Sequence, residues 1–292
     1  MGLNEKKKIV QSLKSAGYSI KTVCEALGIS RSSYYRIEDK KEGKKKRPPK
    51  KDENEVLQTI NKIKGDHLFW GYRRVWAWLR FREKRVINQK RVYRIMKENG
   101  LLVSITQYKA KRKPGRSKPK ATKINQFWGT DMTKFLVQGV GWVYLVVVLD
   151  WYSKKVVGYK LDLRSRSHEW AQALEMAVHN QCPKGSRGLD IKLISDNGSQ
   201  PTRIAYMKAC NTLGITQIMT SYSNPKGNAE TERFMRTFKE ETVWPYEFES
   251  FEQAKKKVDK FIGFYNDEYP NSAIGYLSPN EFERAEKLKA VA

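Results

Sequence analysis

Three acidic residues have the spacing and surroundings of a catalytic set. Asp131 lies in an apolar stretch typical of a β-strand, and Asp196 directly follows a second such stretch. Glu232 lies in the run from Asn228 to Glu241, which has helical character, with 35 residues between it and Asp196. Carboxylates on two strands and a facing helix supply the oxygen ligands that hard divalent cations prefer. Two such cations activate a water or a 3′-hydroxyl and stabilise the leaving oxygen of a phosphodiester, so these residues predict metal-dependent phosphoryl transfer.

Asp196 and Glu232 have distinct local contexts. The turn Asn197-Gly198 follows Asp196 at once, which places the carboxylate at the carboxyl end of its strand, where open α/β sheets carry their sites. Lys239 follows Glu232 by seven residues, or two helical turns, so an ammonium and a carboxylate share one helix face. For these two charges alone, an ordinary surface pair on an amphipathic helix is the simpler explanation.

A fourth carboxylate, Asp150, competes with Asp131 for a place in the site because it also ends an apolar stretch. Trp151 is adjacent to it, and Lys154 and Lys155 are within reach. A structural or paired role therefore fits Asp150 better than a metal ligand.

Positive charge is concentrated in the first part of the chain. The 292 residues have a formal net charge of +26, and residues 1–120 contain 34 Lys and Arg against 11 Asp and Glu. Residues 121–292 contain 23 against 20. A basic front joined to a nearly neutral body is typical of a protein that binds a polyanion. No apolar run approaches a bilayer span and no secretory signal opens the chain, so nucleic acid is the expected partner rather than a membrane.

The cysteines indicate a reducing compartment. Cys24, Cys182 and Cys210 are too few and too scattered for a disulfide framework or a zinc site. The three histidines do not pair with them at ligand spacing. We therefore expect the protein in the cytoplasm.

Residues 1–39 read as a small helix-turn-helix DNA-binding domain. Cys24 is small enough to let two helices cross closely, and Gly28 follows four residues later at the turn. Ser30 can cap the second helix, which would present its polar residues to a DNA groove. A helical hairpin with solvated basic residues is the alternative. The predicted contacts are Arg31, Ser32 and Arg36.

Residues 52–108 read as a second helical DNA-binding domain between two basic linkers, 40–51 and 109–123. Asn88 is a suitable N-cap for a helix that ends near Gly100. The linkers are rich in Lys and Arg and should follow phosphates. The DNA contacts predicted here are Arg73, Arg74, Arg91, Arg94, Lys111 and Arg112.

Residues 124–245 have the pattern of an α/β core, with residues 246–292 as a C-terminal helical extension. Three adjacent strands at 127–137, 142–152 and 155–163 form an expected antiparallel meander. Helices, the first of them at 167–181, then alternate with short strands. This order predicts a mixed five-stranded sheet flanked by helices on both faces.

Three motifs resemble the Asp-Asp-Glu integrase core of retroviral integrases and related insertion-sequence transposases. They are Trp128-Gly129-Thr130-Asp131-Met132-Thr133, Ile194-Ser195-Asp196-Asn197-Gly198-Ser199-Gln200 and Asn228-Ala229-Glu230-Thr231-Glu232. Lys239 matches the Lys or Arg that insertion-sequence members carry seven residues after the Glu.

The resemblance extends to both sides of this core. Trp70-Gly71-Tyr72-Arg73-Arg74-Val75 is similar to the family's Tyr-Gly-Tyr-Arg-Arg element, with Trp70 in place of the first Tyr. Residues 88–96 are similar to its Lys-Arg-Val-x-Arg-Leu-Met helix. Residues 265–276 resemble Tyr-Asn-x-x-Arg-Pro-His-x-x-Leu-Gly-Tyr, but Tyr269 replaces Arg and Asn271 replaces His, so no catalytic or DNA-contact role carries over to those two positions.

The resemblance implies a ribonuclease-H-like fold and two Mg²⁺ or Mn²⁺ ions held by Asp131, Asp196 and Glu232. It also implies two successive phosphoryl transfers: water frees a 3′-hydroxyl at an element end, and that hydroxyl attacks target DNA. Lys239 would contact end DNA. The implied partners are duplex DNA, further copies of the chain on paired ends, and a first-frame helix-turn-helix protein. A bacterial, nucleoid-associated location follows.

Two alternatives compete with a transposase. A DNA-binding protein with an inactive integrase-like domain would have no reason to keep all three acids and Lys239. A nuclease of ribonuclease H type acting on hybrids is disfavoured by the basic helical front of about 120 residues, which suits duplex DNA ends better.

Overall fold

The computed structural model describes residues 1–35, 52–103, 120–220 and 227–291. It divides into two compact units, residues 1–53 and 54–292. The first predicted linker and most of the second lie outside the described residues, as do Arg36, Lys111 and Arg112. Within the described part of the chain, no helix is long and apolar enough to cross a membrane.

The first unit contains three short helices around a small apolar centre. They are α1 (Leu3–Ser15), α2 (Ile20–Ala26) and α3 (Arg31–Tyr35). Cys24 is buried, and Gly28 has a positive φ of 60° in the turn between α2 and α3. The Ser30 hydroxyl accepts a hydrogen bond from the backbone N–H of Ser33 at 3.1 Å. The predicted crossing residue, turn and cap are thus all present.

Three further helices begin the second unit: α4 (Glu53–Asp66), α5 (Tyr72–Phe81) and α6 (Gln89–Glu98). The Asn88 side chain caps α6 by accepting a hydrogen bond from the Lys90 N–H at 2.8 Å. Gly100 ends the helix with a φ of 67°. Both predicted helix boundaries are confirmed.

A five-stranded sheet forms the centre of this unit. Its strands are β1 (Phe127–Val137), β2 (Gly141–Asp150), β3 (Val156–Asp162), β4 (Lys192–Ser195) and β5 (Thr216–Met219). The order is β3-β2-β1-β4-β5. The first three strands are antiparallel, whereas β4 runs parallel to β1 and β5 parallel to β4. The expected mixed, ribonuclease-H-like sheet is confirmed.

Helices cover both faces of the sheet. The helices after β3 are α7 (Ser167–Gln181), α8 (Ile204–Thr212), α9 (Ala229–Phe238), a π-helix (Lys239–Val243), α10 (Phe251–Asp267), a 3₁₀ turn (Ser272–Ile274) and α11 (Pro279–Val291). Along β2, Val146 and Val148 belong to a buried cluster with residues of α7 and α8. Leu145 and Val147 belong instead to a cluster with residues of α9 and α10. The alternation follows from the two-residue period of a strand.

Helices α4–α6 share the second of these cores. Ile60, Trp70, Leu79 and Ile95 belong to the same buried cluster as Phe238. Residues 54–103 therefore pack as part of the compact unit that contains the sheet. The finer boundaries assigned from the sequence, at 108, 123 and 245, remain predictions.

Candidate active site

The parallel pairing of β1 with β4 places Asp131 and Asp196 at the same level of neighbouring chain segments. Gly129 pairs with Ile194, and each aspartate follows its paired residue by two positions. Asp131 is half-buried within β1, whereas Asp196 is exposed just beyond the end of β4. The register of the sheet thus brings together two acids that are far apart in the sequence.

The Asp131 carboxyl has a raised pKa of about 6. Burial is the largest cause, and the negative charges of Asp196 and Glu232 raise the pKa further. A hydrogen bond from the Met132 N–H and the positive charge of Lys239 act in the opposite direction. Asp196, Glu232 and Lys239 therefore lie close enough to Asp131 to act on its carboxyl electrostatically.

An open cleft lies between β1 and α9. Asp131 and Glu232 line it from opposite sides, and Lys239 lies on the same wall as Glu232. Arg236 and Trp244 also line the cleft. The seven-residue spacing correctly predicted that Glu232 and Lys239 face the same way.

The N-terminus of α9 is held tightly on β1. The Asn228 side-chain amide donates to the Thr130 carbonyl at 2.9 Å, and the Trp151 indole N–H donates to the Thr231 hydroxyl at 3.3 Å. A Cβ at Gly129 would overlap both Thr231 and Trp151. Only glycine therefore permits this close approach of helix and strand, which fixes Glu232 opposite Asp131.

Sequence reasoning missed the supporting roles of Asn228, Thr231 and Trp151. Gly129 was the available signal, because a glycine inside a strand often marks the close approach of another backbone. Its partners could not be identified without the structure, since Trp151 lies 80 residues from Thr231 in the chain.

The helix predicted to run from Asn228 to Glu241 is interrupted. Helix α9 ends at Phe238, and residues 239–243 form a π-helix. The Trp244 N–H accordingly donates to the carbonyl of Lys239, five residues earlier, at 2.8 Å. Lys239 thus begins the wider turn, a feature that is frequent at functional sites.

Asp150 has the structural role that the sequence favoured. Its two carboxylate oxygens accept hydrogen bonds from the backbone N–H groups of Asn125, Tyr152 and Ser153, and from the Ser153 hydroxyl. The expected lysine partners are engaged elsewhere: Lys154 pairs with Glu230 and Lys155 with Glu283. Asp150 is fully buried and holds the turn after β2.

The predicted DNA-contact residues occupy different environments. Arg31 and Ser32 are exposed on α3, and Arg73 is exposed on α5 beside Tyr72. Arg91 and Arg94 are half-buried on α6. Arg94 also lies 3.8 Å from Glu98, one turn later.

Arg74 is half-buried and has a different environment from Arg73, and its role in DNA binding remains a prediction. Its guanidinium lies over the rings of Tyr269, at 4.9 Å, and Trp70, at 5.9 Å. Both rings are buried. Arg74 therefore packs α5 against the segment after α10, as the long side chain and planar cation of arginine allow.

The two family departures near the C-terminus are structural residues. Tyr269 is buried against Trp70, with the ring centroids 5.8 Å apart. The Asn271 side chain caps the 3₁₀ turn by accepting a hydrogen bond from the Ala273 N–H at 3.0 Å.

The donor set fits a hard divalent cation by its chemistry. The charges of Asp196 and Glu232 both contribute to the raised pKa of Asp131, and a bound cation would relieve this repulsion. Among the described residues, however, no three Asp, Glu, His or Cys side chains form a cluster that could hold a metal ion directly. The Oδ1 atoms of Asp131 and Asp196 accept hydrogen bonds from neighbouring backbone N–H groups.

Comparison with known proteins identifies two kinds of domain. Integrase core domain models match residues 121–225 and 213–279, and an HTH-like domain model matches residues 51–110. The chain is 27% identical over 288 residues to transposase InsD for insertion element IS2A/D/F/H/I/K of Escherichia coli, covering 94% of each chain. Transposase InsD for insertion element IS2-9 of strain K12 is also 27% identical, with 94% of this chain and 92% of that protein covered.

Solved structures with weaker similarity include two of viral origin. The catalytic core domain of BIV integrase is 19% identical, with a TM-score of 0.43 over 57% of this chain and 99% of that chain. A chain of the simian T-cell lymphotropic virus intasome in complex with PP2A regulatory subunit B56 gamma is 15% identical. Its TM-score is 0.46, over 76% of this chain and 73% of that chain.

Proposed function

We propose that the chain is an insertion-sequence transposase and that it binds the terminal repeats of a mobile element. It cleaves a strand there and transfers the freed 3′ end to target DNA. The integrase core and HTH-like domain matches and the similarity to transposase InsD support this proposal. The observation that carries this proposal is that Asp131, Glu232 and Lys239 line one cleft, while the charge of Asp196 also acts on Asp131.

Asp131, Asp196 and Glu232 are the residues that would hold two Mg²⁺ or Mn²⁺ ions. When bound, these ions supply activation of the attacking oxygen and stabilisation of the leaving oxygen. Lys239 contributes a positive charge beside the acids and contacts the phosphate of the element end. Trp244, exposed at the rim of the cleft, offers a flat surface on which an unpaired terminal base can stack.

The helical segments provide the proposed DNA-binding surface. Arg31 and Ser32 contact DNA from α3, while Arg73, Arg91 and Arg94 contribute from α5 and α6. Arg36, Lys111 and Arg112 remain predicted contacts outside the described residues. Arg74 packs instead on Tyr269 and Trp70, and its contact with DNA remains a prediction.

The reaction implies an assembly that brings two element ends together. We therefore propose a homo-oligomer on DNA, with a first-frame helix-turn-helix protein as a further partner. The proposed location is the bacterial nucleoid in the cytoplasm, because the substrate DNA lies there.

The alternative is a DNA-binding protein whose integrase core is inactive. The position of Glu232 opposite Asp131 argues against it, because repulsion between two carboxylates contributes nothing to DNA binding. The closely packed junction at Gly129, which maintains that position, supports the same conclusion.

Cleavage of labelled duplexes tests the proposal. The duplexes carry the element's own terminal repeats and are incubated with Mg²⁺, Mn²⁺ or chelator, with wild type beside Glu232→Gln. Metal-dependent nicking at the terminus that the variant lacks is the expected result. Tight end binding without a cut under either metal, with and without the first-frame protein, would favour the inactive alternative.

A further inference from the structure

His67, just after α4, makes an unusual set of contacts. Its imidazole stacks on Trp70 with the ring centroids 3.9 Å apart and an interplanar angle of 6°. On another side it stacks with Phe264 of α10, at 5.2 Å and 15°. Its Nδ1 lies 2.7 Å from Oε2 of Glu241. The ring is thus oriented by two aromatic neighbours, and its polar edge points to one carboxylate.

Glu241 lies in the π-helix, two residues after Lys239. Its side chain is only 5% exposed, and its other carboxylate oxygen, Oε1, has no hydrogen-bond partner among the described residues. Lys64 acts on Glu241 through its charge, but its ammonium donates to the carbonyls of Leu68 and Trp70. His67 is therefore the direct donor to this carboxylate in the described part of the chain.

A second contact joins the same two segments. The Phe69 ring packs edge-on against Trp244, with centroids 5.8 Å apart. Trp244 follows the π-helix directly and lines the catalytic cleft with Lys239. Residues 67–70 thus contact Glu241, inside the π-helix, and Trp244, the residue that directly follows it.

We propose that His67 is a positioning residue for the catalytic cleft, which it influences through Glu241 and the π-helix that begins at Lys239. Loss of the His67 donor would leave a buried carboxylate without its partner, and such a charge is costly. The π-helical turn would then shift to hydrate Glu241, and Lys239 would move with it. The helical segment ahead of the sheet therefore helps to set the geometry of the cleft.

This inference rests on the proposed function for its kinetic test, and it has a matched set of variants. His67→Phe keeps an aromatic ring between Trp70 and Phe264 but removes the donor. His67→Asn places an amide donor near the position of Nδ1 but removes the ring. Arg82→Gln is the control: Arg82 pairs with Glu281, so it also joins the helical segment to the C-terminal part, without touching the π-helix.

Single-turnover cleavage of terminal-repeat DNA gives the first readout. We expect His67→Phe to slow cleavage about ten-fold with unchanged end binding, because small displacements of positioning groups are costly in rate. His67→Asn should stay within about three-fold of wild type, and Arg82→Gln should cleave normally. Lys239→Ala should slow cleavage by a much smaller factor in the His67→Phe background than in wild type, because the effects of coupled residues are not additive.

Hydrogen exchange gives a second readout that needs no activity. His67→Phe should accelerate exchange of the amides of residues 239–244 while those of α9 keep their wild-type protection. Arg82→Gln should leave both segments unchanged. If wild type fails to cleave, the proposed function fails, and the exchange data still decide the role of His67.

Normal cleavage by His67→Phe, or full additivity with Lys239→Ala, would overturn the inference. So would unchanged exchange at residues 239–244. Equal effects of His67→Phe and Arg82→Gln on cleavage would also overturn it, by assigning His67 a general role in stability.

Discussion

The side-chain amide of Asn228 donates a 2.9 Å hydrogen bond to the carbonyl of Thr130, the residue before Asp131. The bond is buried and joins the start of α9 to the middle of β1. We expect Asn228→Ala to lower the free energy of unfolding by about 1–3 kcal/mol, because it leaves the Thr130 carbonyl unpaired. Urea unfolding measures this loss. Asn228→Asp, which keeps the shape but removes the donor, should lose at least as much, and wild-type stability of both would contradict the assignment.

The role of the three acids in strand cleavage should be separable from DNA binding. Asp131→Asn, Asp196→Asn and Glu232→Gln each remove one charge with little change in size, so each should abolish strand cleavage while end binding stays near the wild-type level. Gel-shift and cleavage assays on the same duplex test this together. The matched control is Glu230→Gln, which changes the acid that pairs with Lys154. Normal turnover by one of the three variants would remove that residue from the site.

Two arginines of α6 should contribute to the salt dependence of DNA binding. If Arg91 and Arg94 each neutralise one phosphate, replacing both by Ala should reduce the slope of log K against log salt by about 1.8. Titrations at several salt concentrations measure the slope. An unchanged slope would exclude both residues from the interface.

Arg74 should behave differently from these arginines. Because its guanidinium packs on Tyr269 and Trp70, Arg74→Gln should lower the melting temperature and leave the salt slope at its wild-type value. Thermal unfolding and the same salt titration are the measurements. A reduced slope with normal stability would restore Arg74 to the DNA surface.

The pairing of Arg82 with Glu281 should make stability depend on pH. The hydrogen bond from Arg82 is the main cause of the lowered pKa of Glu281, about 2 against an ordinary 4.5. A lowered pKa means that the stabilisation is fully present above about pH 4.5 and is lost as the pH falls towards 2. We expect the stability difference between wild type and Glu281→Gln to shrink over that range. A difference that stays constant from pH 7 to pH 3 would contradict this pairing.

The sheet could be predicted from the sequence because its first strands are long apolar runs with clear breaks. The predicted strand at 127–137 and the predicted helix at 167–181 have the observed bounds. The mixed character of the sheet also followed from the change from a meander to alternating helix and strand. The structural role of Asp150 was predicted from its neighbours Trp151, Lys154 and Lys155, but the partners that it has are backbone N–H groups and the Ser153 hydroxyl rather than the lysines.

Features that depend on distant contacts were not predictable. Periodicity alone predicts one helix over residues 228–241. The π-helix that interrupts it contains Glu241, which contacts His67, 174 residues earlier in the chain. Arg73 and Arg74 are equivalent in sequence, but only Arg74 faces Tyr269. The pattern could not distinguish them, because the aromatic partner comes from the far end of the chain.

The buried cluster shared by α4–α6 and the sheet has a practical consequence for fragment design. A fragment that begins at residue 120 would expose the apolar surface that Trp70, Leu79 and Ile95 now cover, and such surfaces promote aggregation. A fragment that begins near residue 52 would retain that cover. The integrase core of this protein is thus not an exchangeable module, and a chimaera that replaces its HTH-like segment must also supply the buried apolar residues that this segment contributes to the shared cluster.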